Sequence, residues 1–287
     1  MAKKTAKILD GKKLSAEIAL ELSKKVALLA SEQNFKPKLV IIQVGDLAES
    51  NTYIKNKIIF AQKIGVDVVH KKYTIDSTNL SREIISDIKS YNSDPKVTGI
   101  IVQLPIPASL DQGAILEAID PKKDVDGMSP RNVKFLYENK EQFLPATTKG
   151  ILLLLEKNKI TIKGKKVVVV GQSFLVGKPT ALAMLNRGAT VTVCHNQTKN
   201  LEKETKTADI LIVAVGKPKL ITKRHVSPGQ VVVDIGINVS KKGKIVGDVD
   251  FDNVAKVVRA VTPVPGGVGP MTIVSLFENL LATSRLG

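Results

Sequence analysis

Residues 167–185 read VVVVGQSFLVGKPTALAML. Four consecutive valines have the β-branched, all-apolar character of a strand covered on both faces. PTALAML, from Pro179, reads as a helix that opens with proline in its first turn. A glycine loop lies between them, and a helix N-terminus behind such a loop is a ready site for a phosphate group. The spacing is not G-x-G-x-x-G, however. It is Gly171-x-Ser173-x-x-x-Gly177, with serine at the middle position. Strand, glycine loop, helix and a following strand make the mononucleotide-binding half of a Rossmann fold, with Gly177 allowing close approach and Ser173 offering a hydroxyl. The same turn also joins strands to helices where no ligand binds, so the rest of the chain has to decide.

Outward from this stretch, helical and strand patterns alternate. LSAEIALELSKKVALLA (14–30) has amphipathic helical spacing, KLVIIQVG (38–45) is a short β-branched run, and NTYIKNKIIFAQKIG (51–65) is helical and stops at glycine. VDVVHKKY reads as a strand, a helix follows near 79–92, and VTGIIVQLPIP (97–107) reads as a buried strand halted by prolines. A second series has strands at 166–170, 189–195, 208–216 and 230–236, and a last helix from Thr272 to Arg285. Such alternation implies parallel pairing. The expectation is α/β with two lobes: residues 1–146 plus the C-terminal helix 272–287, and a Rossmann-type parallel sheet in 147–271. The charged, proline-containing segment at about 120–150 is read as a hinge region.

The 287 residues are 43% hydrophobic and 24% charged, ordinary for a globular protein with a sizeable core. No apolar run approaches the roughly 20 residues of a membrane span. MAKKTAKILDG has lysines without an apolar segment behind them, so no secretory leader is expected. One cysteine, Cys194, excludes an intrachain disulfide and suits a reducing cytoplasm; on a strand pattern it reads as core. The net charge of +16 suits either nucleic acid or small polyanions. The lysines are dispersed and aromatics are 4%, which argues against a nucleic-acid platform.

Several short segments could carry chemistry. Tyr53 and Lys57 are four apart on a helical pattern and share a face; spacing alone favours a solvated lysine over a tyrosine. Gln103 ends a buried strand. Asp124 and Asp126, in KKDVDG, read as a turn or a weak metal loop; without nearby histidines they make no zinc site. About 20 residues past Gly171, where a carboxylate would select NAD and an arginine NADP, CHNQTKN (194–200) has neither. TPVPGGVGPMT (262–272) is uncharged and rich in glycine and proline. His70 and His225 read as surface or structural.

Taken in order, DGKKLS (10–15), ESNTYIKNK, VQLPIP, KKDVDG, GQSFLVGKP, ADILIVAVGKP, VVVDIGIN, GDVDF (247–251) and TPVPGGVGPMT resemble the bifunctional methylenetetrahydrofolate dehydrogenase/methenyltetrahydrofolate cyclohydrolase family, across nearly the whole chain. The resemblance implies a folate lobe, a Rossmann lobe for a nicotinamide dinucleotide, an active-site cleft between them, a homodimer and a cytoplasmic place in one-carbon metabolism, upstream of purine biosynthesis. It assigns catalysis to Lys57, Tyr53, Gln103 and Asp126. Folate contacts fall on Ser50, Tyr53, Asp126, Pro263, Pro265, Gly266 and Gly267. Dinucleotide contacts fall on Gly171, Gln172, Ser173, Val176, Gly177, Pro179, His195, Asn196, Thr198, Gly216, Ile237 and Thr272. No metal is implied.

Four positions depart from the family pattern, one of them Ala146 in place of a cysteine. Gln172 stands where the family commonly has arginine, and Asn196 where it has serine. Both changes remove expected contacts to a 2′-phosphate, since glutamine cannot supply a bidentate charged pair; NADP and NAD both stay open, with Lys199 or Lys203 able to compensate. Thr148 replaces a proline, which frees its φ and is expected to loosen the hinge. Two weaker readings keep the same scaffold: a cyclohydrolase with little dehydrogenase activity, and a non-catalytic nucleotide-binding regulator.

Overall fold

The structure, a computed structural model, describes residues 5–75, 79–240 and 243–283. The chain divides into two compact units. One comprises Ala16–Ala146 and the segment from Ile273 onward; the other comprises the residues up to Ser15 and Thr147–Thr272.

In the first unit, β2 (Lys38–Val44) lies between β3 (Asp67–Tyr73) and β4 (Gly99–Val102), all three parallel. The side chains of β2 from Leu39 to Val44 are buried, as a central strand covered on both faces requires. The helices of this unit are α1 (Gly11–Gln33, from Ala16), α2 (Ala48–Ile64), α3 (Leu80–Ser93), α4 (Gln112–Glu117), α5 (Pro130–Tyr137) and most of α10 (Val268–Thr283). On α3, Leu80, Ile84 and Ile88 recur at intervals of four and pack with Val40, Ile42, Ile100 and Val102 of the sheet. α2 ends as the sequence predicts, at Gly65 in the left-handed region, whose N–H reaches back to the carbonyls of Ala61 and Gln62.

Phe277 of α10 is fully buried and its ring lies 5.1 Å from that of Phe60 on α2. Phe277→Ala is therefore expected to destabilise this unit by about 3–5 kcal/mol, seen as a lower urea midpoint with an unchanged slope.

The second unit is built on one parallel sheet in the order β1 (Lys7–Ile8), β11 (Ala260–Val261), β8 (Val231–Asp234), β7 (Ile210–Val213), β5 (Lys166–Val170), β6 (Thr190–Cys194). Its helices are α6 (Ala146–Lys157), α7 (Gly177–Asn186), α8 (Leu201–Lys206) and the short α9 (Phe251–Val254). β9 (Asn238–Val239) and β10 (Ile245–Val246) form a separate antiparallel ribbon. Val168, Val170, Leu211, Val213 and Val232 share one apolar core with Val254, Val258 and Cys194. Cys194 is core, as expected, although β6 itself ends the sheet and leaves Val193 exposed.

Four expectations change. The sequence reading places the N-terminal segment in the folate lobe, but β1 hydrogen-bonds to β11 in the other unit's sheet; a two-residue strand carries no periodicity from which this could be read. The segment 120–150 is not a plain hinge: it contains α5, with Ser129 capping the N–H of Asn132, and the start of α6. Thr148 does not loosen that segment, because it is fully buried inside α6 and its hydroxyl lies 3.1 Å from that of Thr180 on α7. The strand expected over 97–107 is confined to Gly99–Val102; Gln103 and the cis Leu104–Pro105 bond follow it. The part of the expected last helix that falls at 284–287 lies outside the described residues.

Candidate functional site

On α2 the buried positions are Ser50, Ile54, Lys57, Ala61 and Ile64, the i, i+3, i+4 stripe that faces the core. Lys57 thus occupies an interior position, against the solvated reading that spacing favours. Tyr53 stands at the edge of this stripe, 37% exposed. The Lys57 ammonium donates to Gln103 Oε1 at 2.9 Å. Gln103 continues the ladder past β4, its N–H donating to the Ile42 carbonyl, and its Nε2 donates to Leu104 O at 2.8 Å. With its amide nitrogen occupied by the backbone, the glutamine has its oxygen turned to Lys57.

The KKDVDG turn splits its two carboxylates between two tasks. Asp124 is buried and accepts from the Ser129 N–H at 2.7 Å and from Asn132 Nδ2 at 2.8 Å. It holds the turn against α5 and is not free for a ligand. Asp126 is only partly buried and its carboxylate acts on Lys57 through space, as an opposite charge. The turn is tied to β4 by the Ile100 N–H, which donates to Lys123 O, and to α10 by Asn279, whose Nδ2 donates to the carbonyls of Val125 and Leu144. Asn279 is a functional support that sequence reading missed; nothing in a polar residue of an apolar helix tells which carbonyls it will meet.

Burial lowers the pKa of Lys57, and the nearby Asp126 carboxylate only partly offsets this. Burial likewise raises Asp126, against the pull of Lys57 and of the Ala146 N–H, with Asp124 adding repulsion. The pair thus combines an amine that loses its proton more easily than an ordinary lysine with a carboxyl that holds its proton more tightly than an ordinary aspartate. No group of three or more potential metal ligands occurs among the described residues.

In the other unit, β5 runs into Gly171 at φ +122°, a conformation that L side chains rarely adopt. A Cβ there would collide with the Ala214 carbonyl, and one at Gly177 with the Gly171 carbonyl. The loop between them is exposed, from Gln172 to Leu175. Ser173 Oγ accepts from the N–H groups of Val176 and Gly177, at 3.3 and 3.2 Å, so its oxygen closes the loop while its hydrogen is left to donate. Pro179 is buried in the first turn of α7. Beyond β6, the His195 N–H donates to Thr198 Oγ1 at 2.8 Å and the Gln197 N–H to His195 Nδ1. This compact turn leaves Asn196 exposed. Gly216 and Ile237, after β7 and β8, are also exposed. Thr272 donates to Thr147 Oγ1 and, through the same hydroxyl, to Val268 O. The loop that holds Pro263, Pro265, Gly266 and Gly267 follows β11 in this same unit, with a cis Val264–Pro265 bond, and the Lys12 N–H donates to Gly266 O. DGKKLS therefore braces that loop.

A glycine cradle at the carboxyl end of an interior parallel strand, opening a helix, fits a dinucleotide pyrophosphate. With a second α/β unit whose buried lysine is held by a glutamine, this defines a two-unit α/β enzyme of the nucleotide-dependent class. Comparison with known proteins is specific. Residues 9–126 match the tetrahydrofolate dehydrogenase/cyclohydrolase catalytic domain, and residues 145–286 match the NAD(P)-binding domain of the same family. The bifunctional protein FolD of Helicobacter pylori is 49% identical over 274 residues, 96% of this chain and 94% of that protein. The crystal structure of the bifunctional FolD methylenetetrahydrofolate dehydrogenase/cyclohydrolase of Campylobacter jejuni superposes with a TM-score of 0.95 at 43% identity, covering 98% of this chain and 99% of that one. The Trypanosoma brucei enzyme, complexed with NADP cofactor and inhibitor, gives a TM-score of 0.93 at 32% identity, covering 99% and 98%. The chain belongs to the tetrahydrofolate dehydrogenase/cyclohydrolase family and carries both of its domains.

Proposed function

We propose that the chain oxidises 5,10-methylenetetrahydrofolate to the 5,10-methenyl cation with a nicotinamide dinucleotide, and hydrolyses that cation to 10-formyltetrahydrofolate. The observation that carries this reading is the buried Lys57 ammonium fixed on Gln103, with Asp126 in its field. The folate chemistry belongs to the unit of Ala16–Ala146, and the dinucleotide to the unit of Thr147–Thr272.

A bound dinucleotide supplies the hydride acceptor. The chain's own groups bind and orient, since hydride loss from the methylene carbon needs no proton transfer. Tyr53 packs on the pterin, Asp126 accepts hydrogen bonds from its amino-pyrimidine edge, and Ser50 adds a further folate contact. In the second step water adds to the methenyl carbon between N5 and N10. Neutral Lys57 takes one water proton as general base. The carbon–N5 bond then breaks, N5 receives a proton from the Lys57 ammonium, and the second water proton is released as the formyl carbonyl forms. Gln103 keeps the amine aimed throughout.

The glycine cradle and the Ser173 closure support binding of the dinucleotide diphosphate. Neither an acid nor an arginine stands in the turn after β6, so the reading admits both NAD and NADP, with Gln172, Asn196 and Lys199 as the residues nearest in sequence to that choice. No helix among the described residues is long and apolar enough to cross a membrane. A homodimer in the cytoplasm completes the proposal; the exposed edge strand β6 supports the first part, and a single buried cysteine suits the second.

The pH dependence tests the role of Lys57. Its pKa is lowered, so the neutral base becomes available below the ordinary lysine range, and hydrolysis should rise with pH through that pKa and then level. The check is the rate of methenyltetrahydrofolate hydrolysis against pH, corrected for the uncatalysed reaction. Lys57→Arg, which stays charged at every accessible pH, should remove the limb. An enzyme-dependent rate that is flat with pH, or that falls, would refute the assignment.

A further inference from the structure

Two carboxylates that the catalytic reading does not use lie buried at the carboxyl ends of the strands in the NAD(P)-binding unit. Asp234 ends β8 and Asp248 follows β10; they are 2% and 0% exposed. Asp248 Oδ2 accepts from two successive backbone N–H groups, those of Val215 at 2.7 Å and Gly216 at 2.9 Å. Its Oδ1 accepts from Asn238 Nδ2 at 2.9 Å. Asp234 Oδ1 accepts from the N–H groups of Gly236 and Asp248, at 2.9 and 3.0 Å, and its Oδ2 from that of Val249 at 2.9 Å. The Asp234 N–H donates to Thr262 Oγ1 at 2.7 Å, immediately before the 263–267 loop. A Cβ at Gly236 would collide with the Asp248 carboxylate, so the loop backbone lies directly against the acid.

We infer that Asp248 is a positioning residue for the dinucleotide, with Asp234 as its support. Its carboxylate ties the loop after β7, which holds Gly216, to the loop after β8, which holds Ile237. In folds of this kind the ligand lies outside the carboxyl ends of the strands, where these loops are. Unpaired, they would have to find other partners for two N–H groups and an amide. Burial and the neighbouring Asp248 push the Asp234 carboxyl up to about 7 against its three N–H donors, so this cluster is costly to keep. Such a cost has a use if it fixes loops that must hold one geometry. This inference rests on the family's dinucleotide binding and says which residues shape that site.

The test is direct titration of full-length protein with NADH and NADPH by nicotinamide fluorescence, beside hydrolysis of methenyltetrahydrofolate without any dinucleotide, and the thermal midpoint. Asp248→Asn keeps the size, but whichever way the amide turns, its NH₂ faces either the Val215 and Gly216 N–H groups or the Asn238 NH₂. We expect dinucleotide affinity to fall by about tenfold or more, and hydrolysis to change by less than about twofold, because the lysine that performs it is on the other unit. The double variant Asp248→Asn, Asn238→Asp restores the donor–acceptor pair between the two positions and the charge, loses the donor to Val246 O, and should recover part of the affinity. Unchanged affinity in Asp248→Asn overturns the inference alone, as does an equal loss of both readouts or a double variant no better than the single. If Asp248→Asn does not fold, Asn238→Ala removes the amide's bonds to Asp248 Oδ1 and Val246 O and should weaken affinity several-fold; no change there also overturns it. Wild-type protein that binds neither dinucleotide would overturn both the inference and the dinucleotide reading.

Discussion

Lys57→Ala is expected to slow hydrolysis of methenyltetrahydrofolate by roughly a hundred- to ten-thousand-fold, the usual value of a positioned acid–base group. The size follows from the position. Lys57 lies on the core-facing stripe of α2, its ammonium bonded to Gln103 Oε1, and burial lowers its pKa. An alanine there leaves no group to accept the water proton, and it leaves Gln103 Oε1 without its donor. Hydride transfer from methylenetetrahydrofolate has no proton in flight and should lose less, through folate positioning only. The measurement is a pair of rates on one protein preparation, hydrolysis and dinucleotide reduction. Equal losses in the two would mean that Lys57 holds the folate and does no proton chemistry. Full retention of hydrolysis would remove it from the mechanism.

Gly171→Ala is expected to have the opposite selectivity. The residue sits at φ +122°, and its Cβ would overlap the Ala214 carbonyl on the neighbouring strand end. Strain of about 1–3 kcal/mol has to be relieved by moving the start of the 172–176 loop or the end of β7. A displacement of about 1 Å at a binding loop can cost about a hundredfold. We therefore expect dinucleotide binding and hydride transfer to fall by tenfold or more, while nucleotide-free hydrolysis falls far less. Titration with reduced dinucleotide reads the first effect, and methenyltetrahydrofolate hydrolysis the second. Tight dinucleotide binding by this variant would mean that the cradle is not the phosphate site.

Much of this was legible in the residues. The four valines before Gly171 and the proline-opened helix after it define β5 and α7 because both elements carry their periodicity within a few residues. The buried runs of β2, β7 and β8 are legible for the same reason. Not legible were β1 and β11, two residues each, whose pairing is a long-range event with no local pattern. For the site, spacing placed Tyr53 and Lys57 on one helical face but could not say that Lys57 points inward. That depends on Ile54, Ala61 and Ile64 being covered by the rest of the unit. Asp234 carries a signal in the sequence. An aspartate that closes the run VVVD must be buried with the strand, and a buried carboxylate needs donors. Apart from Gly236, the partners of Asp234 and Asp248 lie 10 to 33 residues away in sequence and could come only from the fold.

The central claim, one chain with both activities, is tested most directly by giving purified protein methylenetetrahydrofolate with NAD or with NADP, and methenyltetrahydrofolate alone, and following nicotinamide and methenyl absorbance together. The account predicts reduction of at least one dinucleotide with transient methenyl absorbance, and hydrolysis of added methenyltetrahydrofolate without any dinucleotide. Hydrolysis with no reduction of either dinucleotide would contradict it, as would reduction that leaves the methenyl product standing.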